Sequence, residues 1–169
     1  MTTPYLENQE KADAAFSHYI RTRDCLRTTG SVEYGCCFTC GKPVPYAESQ
    51  CGHFIKRDCK KLRYEPRNGH LQCRHCNEDL KGNMEVYEAN MIALYGEDIV
   101  IEFFNLRWFH AKTFSAVDLL EIEAKFKAMR GKLNLSNCGS PFPFIQITKP
   151  KPHFSTARQN DLIFDPLGL

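Results

Sequence analysis

Apolar positions recur at helical spacing in four stretches of the chain. In residues 8–24, NQEKADAAFSHYIRTRD, the residues Ala15, Phe16, Tyr19 and Ile20 form one stripe, which predicts a helix. Arg21 and Arg23 fall in its last turn, where cations suit the helix dipole, and Gly30 and Gly35 mark an irregular loop beyond it. Residues 84–95, MEVYEANMIALY, predict a second helix ended by Gly96, and residues 97–109, EDIVIEFFNLRWF, a third. In the third, Val100, Phe103, Phe104 and Trp108 make a broad apolar face that is expected to belong to the core. A fourth begins near Ser115, where SAVD is a capping box with Asp118 as its acidic member. Leu119, Leu120, Ile122, Phe126 and Met129 supply its buried side, and Gly131 signals the stop.

Residues 36–83 follow no such period. They are dense in Cys, His, Gly and Lys/Arg, as expected where a metal replaces a core. Within them QCGHFIK and GHLQC predict short strands, and a short helix is expected to open at Asn77. Past Leu133 the composition shifts again, with prolines at 141, 143, 150, 152 and 166. The reading is an α+β domain over 1–133 with flanking helices, then an extended, partly disordered tail over 134–169. A length of 169 residues suits one domain plus a tail, and no internal repeat is visible.

Composition narrows the class. The net charge is +2, and no apolar run is long enough for a membrane span. The start, MTTPYLENQEKADAAF, is polar and carries acids, unlike a signal peptide, so a cytoplasmic location is expected. Nine cysteines are many for a reducing compartment, where they serve more often as metal ligands than in disulfides. Cys37 and Cys40 form one C-x2-C pair and Cys73 and Cys76 another, the usual way to build a four-thiolate zinc tetrahedron. Cys36 is an alternative to Cys37, although the spacing favours the latter. Cys25, Cys51, Cys59 and Cys138 are left over as free thiols. The gap between the pairs holds 32 residues, so something folded is inserted. Zinc closed by four thiolates has no open position for water. Any chemistry must therefore come from residues that the zinc holds in place.

The insertion and its flanks carry His53, Asn68 and Asn77 in order around the second cysteine pair. This pattern resembles the HNH, or ββα-metal, nuclease motif in the variant that ends in Asn. The resemblance implies His53 as general base, Asn68 as a brace for the loop and Asn77 as ligand of a divalent cation. The longer series AFSHYIRTRD, CFTCG, GHF, LRYEPRNGHLQCRHCN, KGNMEVYEANMIALYG and FSAVDLLEIEAKFKAMRGKL resembles the lambdoid phage NinG (Rap) recombination family over roughly residues 12–133. That family implies an endonuclease acting on branched recombination intermediates such as Holliday junctions and D-loops.

The chemistry suits those residue types. A neutral imidazole is a base near pH 7, and an amide oxygen is a hard ligand for Mg²⁺ or Mn²⁺. Lys81, one helical turn after Asn77, is placed to neutralise a phosphate. The competing role for Asn77 is to cap the helix expected there. The common motif has an Asp immediately before its histidine; here that position is Gly52, which leaves the second cation ligand open. His70 is one candidate, with a satisfied structural histidine as the alternative, and Cys51, Asp58 and Asp79 are others.

Between residues 53 and 81 eight basic side chains stand against four acidic ones. Lys56, Arg57, Lys60, Lys61, Arg63 and Arg67 are the expected phosphate contacts to branched or duplex DNA. Cutting paired strands across a junction needs two active sites, so a homodimer is expected to form through the helices after residue 84. In the tail, QNDLIF resembles the short peptide that docks on the bacterial sliding clamp, with Gln159, Leu162 and Phe164 as its contacts. The alternative function is a zinc-dependent DNA-binding or scaffold protein without nuclease activity.

Overall fold

A 26-residue helix, α1 (Pro4–Thr29), is the spine of the molecule. The computed structural model describes residues 3–108, 113–134 and 136. Helix α1 outruns the apolar stripe at both ends because its caps lie outside that stripe. The Thr3 hydroxyl accepts from the Leu6 amide with Pro4 in the first turn, and Gly30 closes the helix at φ 71°. Two small antiparallel sheets follow. β1 (Tyr34–Cys36) pairs with β2 (Pro43–Pro45), and β3 (Gln50–His53) pairs with β4 (Gly69–Gln72). The second hairpin uses the two segments expected to be strands; the first was not legible, because three-residue strands with two prolines show no alternation. In the β3–β4 register Gln50 faces Gln72 and Gly52 faces His70, so these four share one side of the hairpin.

A short π-helical turn, His75–Asp79, leaves β4. Then come α2 (Met84–Tyr95), α3 (Glu97–Leu106) and α4 (Ala116–Gly131). Ser115 and Asp118 form the expected capping box on α4, with both reciprocal hydrogen bonds present.

Apolar side chains gather in three clusters. Phe16, Tyr19 and Ile20 of α1 pack on Leu119 and Phe126 of α4. Phe38, Phe54, Ile55 and Leu62 pack on Tyr87 and Met91 of α2 and on Val100 and Phe103 of α3. Cys25, Val44 and Leu71 surround Cys37 and Cys76. The cysteine-rich segment thus has a core after all. Its apolar residues come singly from irregular loops, so they show no period.

Three side chains differ from expectation. Trp108 is 73% exposed because α3 ends at Leu106, before the apolar face expected to include it, and Leu120 is 48% exposed because the buried arc of α4 is narrower than its apolar face. Arg23 is buried and paired with the fully buried Asp24 instead of capping α1. Arg23 also donates to the Pro66 and Gly69 carbonyls, while Asp24 accepts from the Leu71 amide. This pair therefore fastens α1 to β4. Among the described residues no helix is long and apolar enough to cross a membrane. The clamp-like motif at Gln159, Leu162 and Phe164 lies outside the described residues.

Candidate metal centre and cleft

The β1–β2 hairpin delivers Cys37 and Cys40, and the end of β4 delivers Cys73 and Cys76. The four Sγ atoms lie within 4.8 Å of one another. A tetrahedral zinc with Zn–S bonds of about 2.3 Å sets its sulfurs about 3.8 Å apart. Cys40 and Cys73 stand 3.8 Å apart. Donors already point at the sulfurs, the Cys76 amide at Cys73 Sγ and the Asn83 side chain at Cys76 Sγ. Burial pushes the Cys37 thiol up, but hydrogen bonds from the Cys40 backbone and Thr39 outweigh it and hold it at about 7. The donor set fits zinc, and Cys36 stays outside it.

One cleft of about 1190 Å³ gathers most of the remaining candidates. His53, Asn77, Lys81, Lys56, Arg57 and Lys60 all line it. His53 closes β3, and its Nε2 lies 3.1 Å from the backbone carbonyl of Arg63. A carbonyl only accepts, so Nε2 carries the proton and Nδ1 is the basic nitrogen of the neutral ring. Burial, ahead of the opposing carbonyl bond and the nearby Arg57 charge, lowers the His53 pKa below its ordinary 6.5.

Asn68 does not reach the cleft. It is fully buried; its Oδ1 accepts from the Ile55 amide and its Nδ2 donates to the Ile55 and Leu62 carbonyls. It ties together the loop that carries the basic residues. Asn77 sits inside the π-helical turn and caps nothing. Its Nδ2 donates to Gln50 Oε1 at 2.7 Å, and Gln50 in turn donates to Glu78. Lys81 is not one turn along a helix from Asn77, because the turn ends at Asp79. It has a left-handed φ of 51°, with Gly82 and Asn83 also at positive φ.

Several expected roles are corrected by geometry. His70 is fully buried, stacked on Phe38, and has both ring nitrogens occupied, Nδ1 by Tyr87 and Nε2 by Tyr95, each at 3.0 Å. Tyr87 donates its hydroxyl hydrogen to the Gly52 carbonyl, so it accepts from His70 Nδ1–H. His70 is a buttress under β3, unsuited to bind a cation. Arg63 is buried and pairs with Asp13 of α1, so it does not reach out to a phosphate. Arg67 pairs with Glu65, and neither Arg67 nor Lys61 lines the cleft. Asp79 pairs with His75 away from the cleft, whereas Asp58 lines it.

Sequence reasoning missed Asp13, Glu78, Arg107 and Trp108, which also line the cleft, and Gln72, buried beside Gly52. Gln72 is fully buried, and its Oε1 has no hydrogen-bond partner among the described residues. A carbon placed on Gly52 as a Cβ would stand 1.9 Å from Gln72 Oε1 and 3.1 Å from Asn77 Oδ1. Two amide oxygens thus stand close to the side-chain position of residue 52. Hard oxygen donors of this kind fit Mg²⁺ or Mn²⁺. The only advance sign was a glutamine directly before Cys73.

The family model of the bacteriophage lambda NinG protein matches residues 3–134. Among curated proteins the chain is similar to protein ninG of Escherichia phage lambda, 30% identical over 94 residues, which is 55% of this chain and 42% of that protein. The ninG proteins of Escherichia phage 933W and Enterobacteria phage VT2-Sa match to the same extent. The matched stretch thus spans about two-fifths of the length of these relatives. No solved structure matches. With four-fifths of its residues inside one family model, this chain belongs to the NinG family of bacteriophage proteins.

Proposed function

We propose that the chain is a divalent-metal-dependent endonuclease that cuts branched DNA in phage recombination. The observation that carries this reading is His53, fixed through Nε2 and lining the same cleft as Asn77, Lys81 and the basic loop. On this reading β3, β4 and the π-helical turn after them stand in for the strands and helix of the ββα-metal pattern, with zinc as the staple. In that frame His53 Nδ1 takes the proton of the attacking water. Lys56, Arg57, Lys60 and Lys81 hold the phosphate backbone. Asn77 Oδ1 would ligate a Mg²⁺ or Mn²⁺, which supplies charge stabilisation at the scissile phosphate when bound.

Gly52 favours a second reading, since it removes the motif's carboxylate: a zinc-dependent DNA-binding or scaffold protein without catalysis. Cleavage of a synthetic four-way junction and a matched linear duplex, with Mg²⁺, Mn²⁺ or EDTA, separates the two. Metal-dependent cutting that His53→Ala abolishes, with zinc content and DNA binding retained, supports the nuclease. Tight junction binding with no cutting under any cation leaves the scaffold.

A further inference from the structure

We infer that Gln72 Oε1 is the second protein ligand of the catalytic cation, replacing the carboxylate that Gly52 cannot supply. The inference rests on the nuclease reading above. Three observations carry it. First, the oxygen is an orphan. Gln72 is fully buried, its Nε2 donates to Thr39 Oγ1 at 3.1 Å and to the Gly82 carbonyl at 2.9 Å, and its Oε1 has no partner among the described residues. An unsatisfied buried amide oxygen is costly to keep, so its retention calls for a ligand.

Second, both amides are oriented by their nitrogens. Gln72 is turned by Thr39 and Gly82, and Asn77 by Gln50, which is itself held by Glu78. Neither can flip without losing these bonds, so both oxygens stay beside the side-chain position of residue 52. This is the outer shell of hydrogen bonds that metal ligands use. Third, with Gln72 in this position residue 52 has to be a glycine. A Cβ there would stand 1.9 Å from Gln72 Oε1, so a side chain at 52 requires the Gln72 amide to move aside. The two positions belong to one site, filled from β3 in the common motif and from β4 here.

Two neutral amides give weak affinity for a free divalent ion, because neither ligand carries a charge to offset that of the ion. DNA phosphate supplies the missing negative charge, so cation and DNA bind cooperatively. The chain then holds its catalytic ion only when a substrate is in the cleft.

The test is Mn²⁺ binding, read by electron paramagnetic resonance on zinc-loaded full chain carrying His53→Ala, with and without a four-way junction. One Mn²⁺ per chain is expected, taken up far more tightly with DNA. Gln72→Leu should weaken it by about 10–100-fold with zinc content unchanged. The swap Gly52→Asp/Gln72→Ala should restore binding and make it less dependent on DNA. On the unswapped chain with ¹³C at the glutamine side-chain carbonyls, nuclear double resonance should show a ¹³C coupling from a ligated amide. That measurement decides even where Gln72→Leu fails to fold. Absence of the coupling, or Mn²⁺ binding lost in Asn77→Ala but intact in Gln72→Leu, overturns the Gln72 assignment alone. No Mn²⁺ uptake by the parent chain with DNA defeats the nuclease reading as well.

Discussion

His53 Nε2 lies 3.1 Å from the backbone carbonyl oxygen of Arg63. The Arg63 side chain is locked to Asp13 of α1, so the carbonyl, and with it the imidazole, is held by a helix far away in sequence. The ring is fixed in one tautomer with Nδ1 as base, and burial keeps its pKa below 6.5. If the proposed cutting uses this base, its rate should rise with pH through that lowered pKa and be flat above it. A kcat/KM profile at saturating Mg²⁺ should show this limb. His53→Ala should lower the rate by about 10²–10⁴-fold and erase the limb. A limb that persists in His53→Ala assigns it to another group.

Asp24 is fully buried, bonded to Arg23 and to the Leu71 amide, and it joins α1 to the strand that leads into the cysteines. Removing one partner of a buried pair strands the other. Asp24→Ala should therefore destabilise the fold by about 3–5 kcal/mol. Urea unfolding at constant m-value measures it. A loss below about 1 kcal/mol would mean that Arg23 finds other partners or solvent.

How much of this was readable in advance follows from the range of each signal. Caps and stripes are local, and they placed α2, α3 and α4 to within a few residues, with Gly96 and Ser115 as end marks. The C-x2-C pairs are local too, and they gave all four members of the thiol cluster. What failed was long-range or face-dependent. Arg63 looked like one more cation of a basic loop, because Asp13, its partner, lies 50 residues earlier. His70 stood open between a cation ligand and a structural histidine, and only Tyr87 and Tyr95, from α2, which fill both its nitrogens, make it the latter. Lys81 left the helical register because a π-helical turn replaces the expected helix. Gln72 gave no warning, since its role depends on which side of the hairpin Gly52 shares with it.

The thiol cluster anchors the β1–β2 hairpin to the turn that carries Asn77. Chain purified without chelator should contain one zinc, lost in Cys73→Ser. Stripping the metal should release Asn77 from the cleft, abolish cutting and lower the thermal midpoint. Structural zinc contributes folding free energy directly. Zn²⁺ should restore the fold and Mg²⁺ should not. Metal-free chain with an unchanged midpoint would show that the thiols stand together without an ion.

Trp108 is the single tryptophan of the chain, and it is 73% exposed on the lip of the cleft beside Arg107. Its emission should be of the solvent type and open to iodide quenching. DNA seated in the cleft should shield it and quench it further. Lys56→Ala and Arg57→Ala should shift the quenching midpoint to higher DNA concentration, each lowering the salt slope by about 1. Iodide access that does not change when junction DNA binds would place the DNA on another face.

His70 links proton uptake to folding. Burial, then the Arg23 and Arg27 charges, hold its folded pKa well below 6.5. In the unfolded chain the same ring protonates near its ordinary value of about 6.5. Below that pH the unfolded state binds a proton that the folded state refuses, so stability falls as pH falls, by up to about 1.4 kcal/mol per pH unit from this group. The contribution is fully present above pH 6.5. Denaturant midpoints taken from pH 7.5 to 5 should decline through this window, and His70→Gln, which cannot titrate, should remove that part of the decline even where it lowers stability throughout. An unchanged slope in His70→Gln would assign the acid sensitivity to His53 or His18, whose pKa values burial also lowers.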